Sequence, residues 1–312
     1  MHLVSETTED WPQAGEFEHF LMPGRGDDSF ARVAVDFLAA GLQRGDAIAA
    51  AVPSVRFAVL RRAFGDDVAL YDLSEASGRN PGRIIPLVLS GFADRYRGTR
   101  LRVLQESVWA GRTDLEYPAC VQHEALTNLA FAGRPMTVAC FYDTDALAPS
   151  VTADARATHP AVLGAGGSVG YAPAEIFARY NVPLPEPSHP ISELRFDEST
   201  QELARDFAAR SAAAANLALE RRIDVELVTY ELTANSIKHG GGSGRLRVWA
   251  EKEVLICEVA DSGRLTDPLA GRRPAGLSIN GGRGLFLVNC LADLIRVHNL
   301  PDGLVVRAYF AR

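Results

Sequence analysis

Four prolines within the ten residues Asn181 to Pro190 constrain this chain more than any other feature. Proline fixes φ and has no N–H to donate, so neither a helix nor a central strand runs through such a stretch; extended, semi-rigid backbone is favoured. The 312 residues therefore read as two domains, 14–180 and 191–312, with a linker at 181–190. With 47% hydrophobic and 23% charged residues, each half has the means to build an ordinary core. The whole net charge of −7 lies before residue 191, and neither half is basic, which argues against direct nucleic-acid binding. No apolar run approaches the roughly 20 residues a bilayer span needs. The acidic start lacks the basic-then-apolar order of a signal peptide, so a cytoplasmic location without membrane contact is expected. Cys120, Cys140, Cys257 and Cys290 show no paired spacing, and are expected as reduced, mostly buried thiols rather than a CxxC site.

Before the prolines, helical and strand patterns alternate. Helices are expected over 30–41, 55–64, 84–96 and 119–132. Strands are expected over 47–52, 68–72, 101–105 and 137–142. Such alternation predicts an α/β domain with a mostly parallel sheet. After the prolines the order changes. A strand at 192–196 precedes a helix from Ser199 to Leu219, with Ser199 as its cap and Glu202 three residues on. A second helix spans 223–239, and strands at 245–250 and 254–260 flank a tight turn. A helix at 284–294 and strands at 295–299 and 303–310 follow. This grouping predicts an α+β two-layer sandwich.

On the second of these helices, Glu231, Asn235 and His239 stand at i, i+4 and i+8 and line one side, next to the apolar stripe of Val225, Val228 and Leu232. By itself the row is equally a solvent-facing polar edge. Asp261-Ser-Gly263 then places a carboxylate at a strand end, where it either faces a pocket or caps its own turn. Gly281-Gly-Arg-Gly284 opens the next helix, where backbone N–H groups and the helix dipole suit a phosphate. No GxxxxGK[ST] sequence is present, which excludes a P-loop.

Taken in order, Glu231 to His239, Asp261-Ser-Gly263 and Gly281 to Leu285 resemble the GHKL-type ATP-binding domain of gyrase, histidine kinases and MutL. The nearest branch is the anti-sigma factor serine kinase family. The resemblance covers 191–312 and implies ATP and Mg²⁺ as cofactors. Asn235 would coordinate Mg²⁺, Asp261 would accept from the adenine amine, and Gly282 to Gly284 would hold the phosphates. The full cofactor set is Asn235, Lys238, His239, Asp261, Gly263, Gly281, Gly282, Arg283 and Gly284, with Glu231 as the catalytic base. Arg264-Leu265 stands where the family has a second glycine, which implies a short lid.

Residues 14–180 resemble the MEDS sensory domain, a relative of the RecA/KaiC fold. The matching stretches are His19-Phe20, 37–45, 101–106 with Trp109, 124–128, Cys140 to Asp143 and His159-Pro160. His19, Glu106, Trp109, Glu124, Asn128, Tyr142 and Asp143 are the candidates to line a pocket for an unknown small ligand; each is equally able to serve as a structural hydrogen-bonding group. His123-Glu124 resembles the start of a histidine kinase phosphoacceptor, but no dimerisation hairpin follows it.

The combined expectation is a cytoplasmic regulator in which the sensory domain controls an ATP-dependent serine kinase. Its partners would be a sigma factor, a STAS-type anti-anti-sigma protein or both, and a homodimer is allowed. The alternatives are a sensor histidine kinase and a non-catalytic module that uses ATP to set its shape.

Overall fold

A computed structural model describes residues 17–75, 79–189, 191–273 and 283–312. The chain forms two compact units, one of Met1–Gly78 and Leu87–Tyr180, the other of Arg79–Pro86 and Asn181–Arg312. A short piece of the first half thus folds with the second, which a single boundary at the prolines does not anticipate.

The first unit runs β1 (Glu18–Gly24), α1 (Gly26–Gln43), β2 (Ala47–Val52), α2 (Phe57–Phe64), β3 (Val68–Asp72), α3 (Ser90–Arg95), β4 (Leu101–Gln105), α4 (Tyr117–Ala130), β5 (Met136–Asp143), α5 (Pro149–Thr158), β6 (Ala161–Val162), β7 (Gly166–Gly167) and α6 (Pro173–Arg179). Its sheet has the order β3-β2-β4-β5-β1-β6-β7. All pairs are parallel except β6 with β7. Parallel strands with both faces covered read as continuous apolar runs. Ala49, Ala50, Ala51 and Val52 of β2 are accordingly all buried. Helix α1 buries Phe30, Ala34, Phe37 and Leu38, one face at helical spacing. The sequence pattern does not reveal β1, α5 or α6. β1 carries Glu18, His19 and Pro23, and α5 buries little apolar surface beyond Ala155, so neither shows a clear period.

The second unit runs β8 (Glu193–Asp197), α7 (Gln201–Ala214), α8 (Leu219–His239), β9 (Ser243–Glu251), β10 (Val254–Asp261), α9 (Gly284–Leu291), β11 (Leu294–Leu300) and β12 (Gly303–Ala311). The five strands form an antiparallel sheet, ordered β11-β12-β10-β9-β8. One sheet face meets the helices through Leu246, Val248, Leu255, Cys257, Val306 and Phe310, packed against Ala204, Ala208, Val225 and Val228. Because strand side chains alternate, the intervening Arg247, Glu258 and Arg307 fall on the other face. The proline segment covers that face. Asn181 exchanges hydrogen bonds with the backbone of Asn299 on β11 (2.7 and 2.8 Å), and Glu186 pairs with Arg247 on β9 at 2.7 Å.

The helix expected from Ser199 to Leu219 is corrected at both ends. The Asp197 carboxylate, not Ser199, accepts from the N–H groups ahead of the helix, those of Ser199 (3.0 Å) and Thr200 (3.1 Å), and α7 starts at Gln201. Asn216 adopts a left-handed φ of 59° and breaks the chain before α8 begins. Helix α9 ends at Leu291, three residues short of its expected end, and Leu294 already belongs to β11.

Residues 79–86 serve the end of α9. Arg83 donates from Nε to Asn289 O and from Nη2 to Ala292 O, both at 2.8 Å. Asn80 Nδ2 donates to the same two carbonyls at 3.0 and 3.2 Å. The last carbonyls of a helix have no partner within it, so these side chains satisfy acceptors that would otherwise be buried unpaired. Arg83→Ala should therefore destabilise the second unit by about 1.5–3 kcal/mol. Differential scanning fluorimetry would show a lowered Tm; an unchanged Tm would mean that Asn80 alone suffices.

Candidate functional site

In the second unit a cavity of about 490 Å³ opens between the end of α8, the end of β10 and the start of α9. Leu232, Val259, Leu285, Leu304 and Val306 give it an apolar wall, while Asn235, His239 and Asp261 supply polar groups. A concave apolar space with a few convergent polar groups is the usual form of a small-molecule site.

Asp261 is the last residue of β10. Its Oδ2 accepts from Ser236 Oγ at 2.5 Å and its Oδ1 from Gly263 N–H at 2.7 Å, so the carboxylate is fixed by α8 on one side and by its own turn on the other. A carboxylate offers about four lone-pair positions, so acceptor capacity remains for a ligand. Two glycines make room for it. A Cβ at Gly240 would lie 2.4 Å from the Asp261 carboxyl carbon, and one at Gly263 would lie 2.8 Å from His239 O. Asn235 lies one turn after Glu231, and its Nδ2 is buried with no hydrogen-bond partner among the described residues. A Cβ at Gly284 would lie 2.5 Å from Glu231 Oε2 and 3.4 Å from Asn235 Nδ2. The first turn of α9 is therefore drawn directly against both side chains.

Of the residues singled out from sequence, Asn235, His239, Asp261, Gly263 and Gly284 line the cavity. Glu231 stands beside it, against Gly284. Lys238 and Arg283 are exposed and do not line it, and Gly281 and Gly282 lie outside the described residues. Arg264, Asp267 and Arg273 also line it, on the loop after β10, where no periodicity marked them. The donor set fits Mg²⁺ with a nucleotide. Asn235 has an unused amide end, which can present its oxygen. Hard oxygen donors are what Mg²⁺ takes, and the start of α9 offers N–H groups for phosphate.

In the first unit, the seven pocket candidates separate into different settings. Glu106 is ion-paired with Arg56 (Nε to Oε2, 3.0 Å), which also pairs with Asp27. Burial pushes the Glu106 carboxyl up, against the pull of Arg56. Asp143 accepts from Gly26 N–H at 3.0 Å at the start of α1. The Trp109 ring lies under the Arg112 guanidinium at 3.8 Å. His19, Glu124 and Asn128 do converge, on the sheet face that β1 and β5 share, and Tyr142 packs edge-on to His159 beside them. Two residues not among the candidates complete the group: Cys140 and His159. A signal existed, because alternation along β5 places Cys140 and Tyr142 on one face. It was outweighed by the general tendency of unpaired cysteines to be buried and inert.

Burial, with His159 beside it, lowers His19 to about 4. Burial, then the Glu124 charge, raises the Cys140 thiol well above its ordinary value.

Residues 18–160 match the family model of the MEDS domain, described as the MEthanogen/methylotroph, DcmR Sensory domain. Residues 195–310 match the histidine kinase-like ATPase domain. Both domains are found in this chain. Among solved structures, the Acinetobacter baumannii histidine kinase AdeS is similar at 11% identity and a TM-score of 0.24, over 64% of this chain and 96% of that one. No curated protein matches the sequence. Among the described residues no helix is long and apolar enough to cross a membrane.

Proposed function

We propose that the second unit binds ATP with Mg²⁺ and phosphorylates a serine of a partner protein, under the control of the first unit acting as a sensor. The reading rests on one juxtaposition: the Asp261 carboxylate, the unpartnered Asn235 amide and the Glu231–Gly284 contact all border one cavity. When bound there, the nucleotide and its metal supply the phosphoryl group and the charge that neutralises it. Asp261 accepts from the exocyclic amine of adenine. Asn235 offers a hard oxygen to Mg²⁺, and Gly284 lets backbone N–H groups approach the phosphates. Glu231 accepts the proton of the incoming hydroxyl. The resemblance to the anti-sigma branch points to a STAS-type anti-anti-sigma protein or a sigma factor as partner.

The sensor histidine kinase reading needs an accessible phosphoacceptor. His123 is fully buried and hydrogen-bonded to Gln105 at 3.0 Å, which counts against it. Incubation with labelled ATP and candidate STAS proteins separates the two readings, because phosphoserine survives acid and phosphohistidine does not. An acid-labile label on the protein itself would overturn the serine kinase reading.

Base preference tests the cavity directly. Guanine presents an oxo group where adenine has its amine, so Asp261 would face a second acceptor and leave buried polar groups unpaired, at about 1–3 kcal/mol. ATP should bind roughly tenfold to a hundredfold tighter than GTP by calorimetry. Asp261→Ala should weaken ATP far more than GTP. Equal affinities in the parent protein would show that Asp261 only caps its turn.

A further inference from the structure

The buried group in the first unit has the form of a metal site. We propose that His19, Glu124, Cys140 and His159 together bind one divalent transition-metal ion of the zinc class. The proposal stands on this geometry and is independent of the nucleotide reading.

The four donor atoms come from four separate elements: β1, α4, β5 and the residue after α5. His19 Nε2 lies 3.3 Å from Glu124 Oε2 and 3.3 Å from Cys140 Sγ. Cys140 Sγ lies 3.3 Å from Glu124 Oε2, and His159 Nε2 lies 3.4 Å from the same oxygen. All the donor atoms lie within 4.8 Å of one another. A tetrahedral ion with bonds of about 2.0–2.3 Å separates its donors by roughly 3.3–3.6 Å. Four edges of the set therefore match a tetrahedron already.

Hydrogen bonds on the far side of each ligand fix which atom faces inward. Three backbone carbonyls, of Glu124, Ala125 and Thr158, surround Asn128 Nδ2. They fix the amide so that its Oδ1 accepts from His19 Nδ1 at 3.1 Å. His159 Nδ1 lies 2.7 Å from Ala155 O, an atom that only accepts, so this nitrogen carries the proton. In both rings Nε2 is therefore left as a lone pair aimed at the centre, and His159 Nε2 has no hydrogen-bond partner there. Glu124 Oε1 is taken by Ser107 Oγ and by Gln105 Nε2, which leaves Oε2 to face inward. Imidazoles held by carbonyl acceptors and a carboxylate held by donors are the usual outer shell of a metal site.

Without a cation, two imidazole lone pairs and a carboxylate oxygen confront one another in a buried interior, where the Cys140 S–H is the one donor between them among the described residues. Buried acceptors without donors are costly. A divalent ion satisfies all four at once and releases the thiol proton to solvent. One thiolate, two imidazoles and a carboxylate suit Zn²⁺ or Co²⁺ over Mg²⁺ or Ca²⁺. With every ligand at most 1% exposed, coordination is closed, as in a structural site.

The test uses the full chain, stripped with a chelator and titrated with Co²⁺ and then Zn²⁺. Close to one ion per chain is expected by mass spectrometry of the metal, with a tetrahedral cobalt spectrum carrying a thiolate charge-transfer band. Zn²⁺ should bleach it. Cys140→Ser should abolish the band and Cys290→Ser should retain it. Asn128→Leu, which touches no metal, should weaken binding by about 10–100-fold. A parent chain that takes up no cobalt, or gives an octahedral spectrum without a thiolate band, overturns the proposal whether or not the variants fold. A thiolate band that survives Cys140→Ser does the same.

Discussion

Glu231→Ala is expected to slow phosphoryl transfer to a partner serine by roughly 10²–10⁴-fold, the range that a positioned general base contributes. The affinity for ATP should change little, because a group that takes a proton only in the transition state adds to rate rather than to ground-state binding. The structure explains why the two effects separate. Glu231 does not line the cavity that holds Asp261, but stands one helical turn from Asn235 and against Gly284 at the start of α9. On the proposed reading, adenine recognition at Asp261 and proton acceptance at Glu231 would thus fall to different residues of α8 and β10. Glu231→Gln keeps the volume against Gly284 but cannot take the proton, so it should be as slow as the alanine variant. Single-turnover transfer beside calorimetric ATP binding checks both halves. Equal transfer in parent and Glu231→Gln proteins would remove Glu231 from the chemistry, whereas ATP binding without transfer in either would favour the reading of the site as a non-catalytic ATP module.

Glu258→Ala should destabilise the second unit by about 3–5 kcal/mol, the cost of stripping one partner from a buried ion pair. Glu258 is 1% exposed and sits between two arginines across the strands, paired in register with Arg247 on β9 and Arg307 on β12. It accepts from Arg247 Nε at 2.7 Å and from Arg307 Nε at 2.5 Å. Without it two guanidinium groups remain as like charges on a covered face, and Arg247 keeps Glu186 of the proline segment as its carboxylate partner among the described residues. Urea unfolding followed by circular dichroism would show the midpoint fall. A loss below about 1 kcal/mol would mean that the face is wet enough to solvate both arginines. Glu186 of the proline segment adds a second, largely exposed carboxylate to Arg247.

Much of both sheets was legible locally. The bounds expected for β2, β3 and β4 are the observed ones; in β2 the reason is plain, because a strand buried on both faces writes itself as an uninterrupted apolar run. The alternation of β9 and β10 was equally plain, with Lys252 at a left-handed φ of 50° in the turn between them. Of the residues that line the cavity of the second unit, Asn235 and Asp261 stand out in the sequence because each places a polar group where a helix stripe or a strand end makes burial costly. Arg264 and Arg273 do not, since a loop carries no period.

Sequence by itself determined what one helix or one strand can express: the apolar faces and the α8 row from Glu231 to His239. Tertiary structure decided what depends on distant partners. His19, Glu124, Cys140 and His159 span 140 positions of chain and meet only because parallel pairing sets β1 against β5 and the middle of α4 and the end of α5 close over that face. Asn80 and Arg83 find their acceptors some 200 residues on, at the end of α9. Local propensity is a matter of neighbours three or four residues apart, whereas ligand sets and helix ends are satisfied by whichever donors and acceptors the packed chain brings within 3 Å or so.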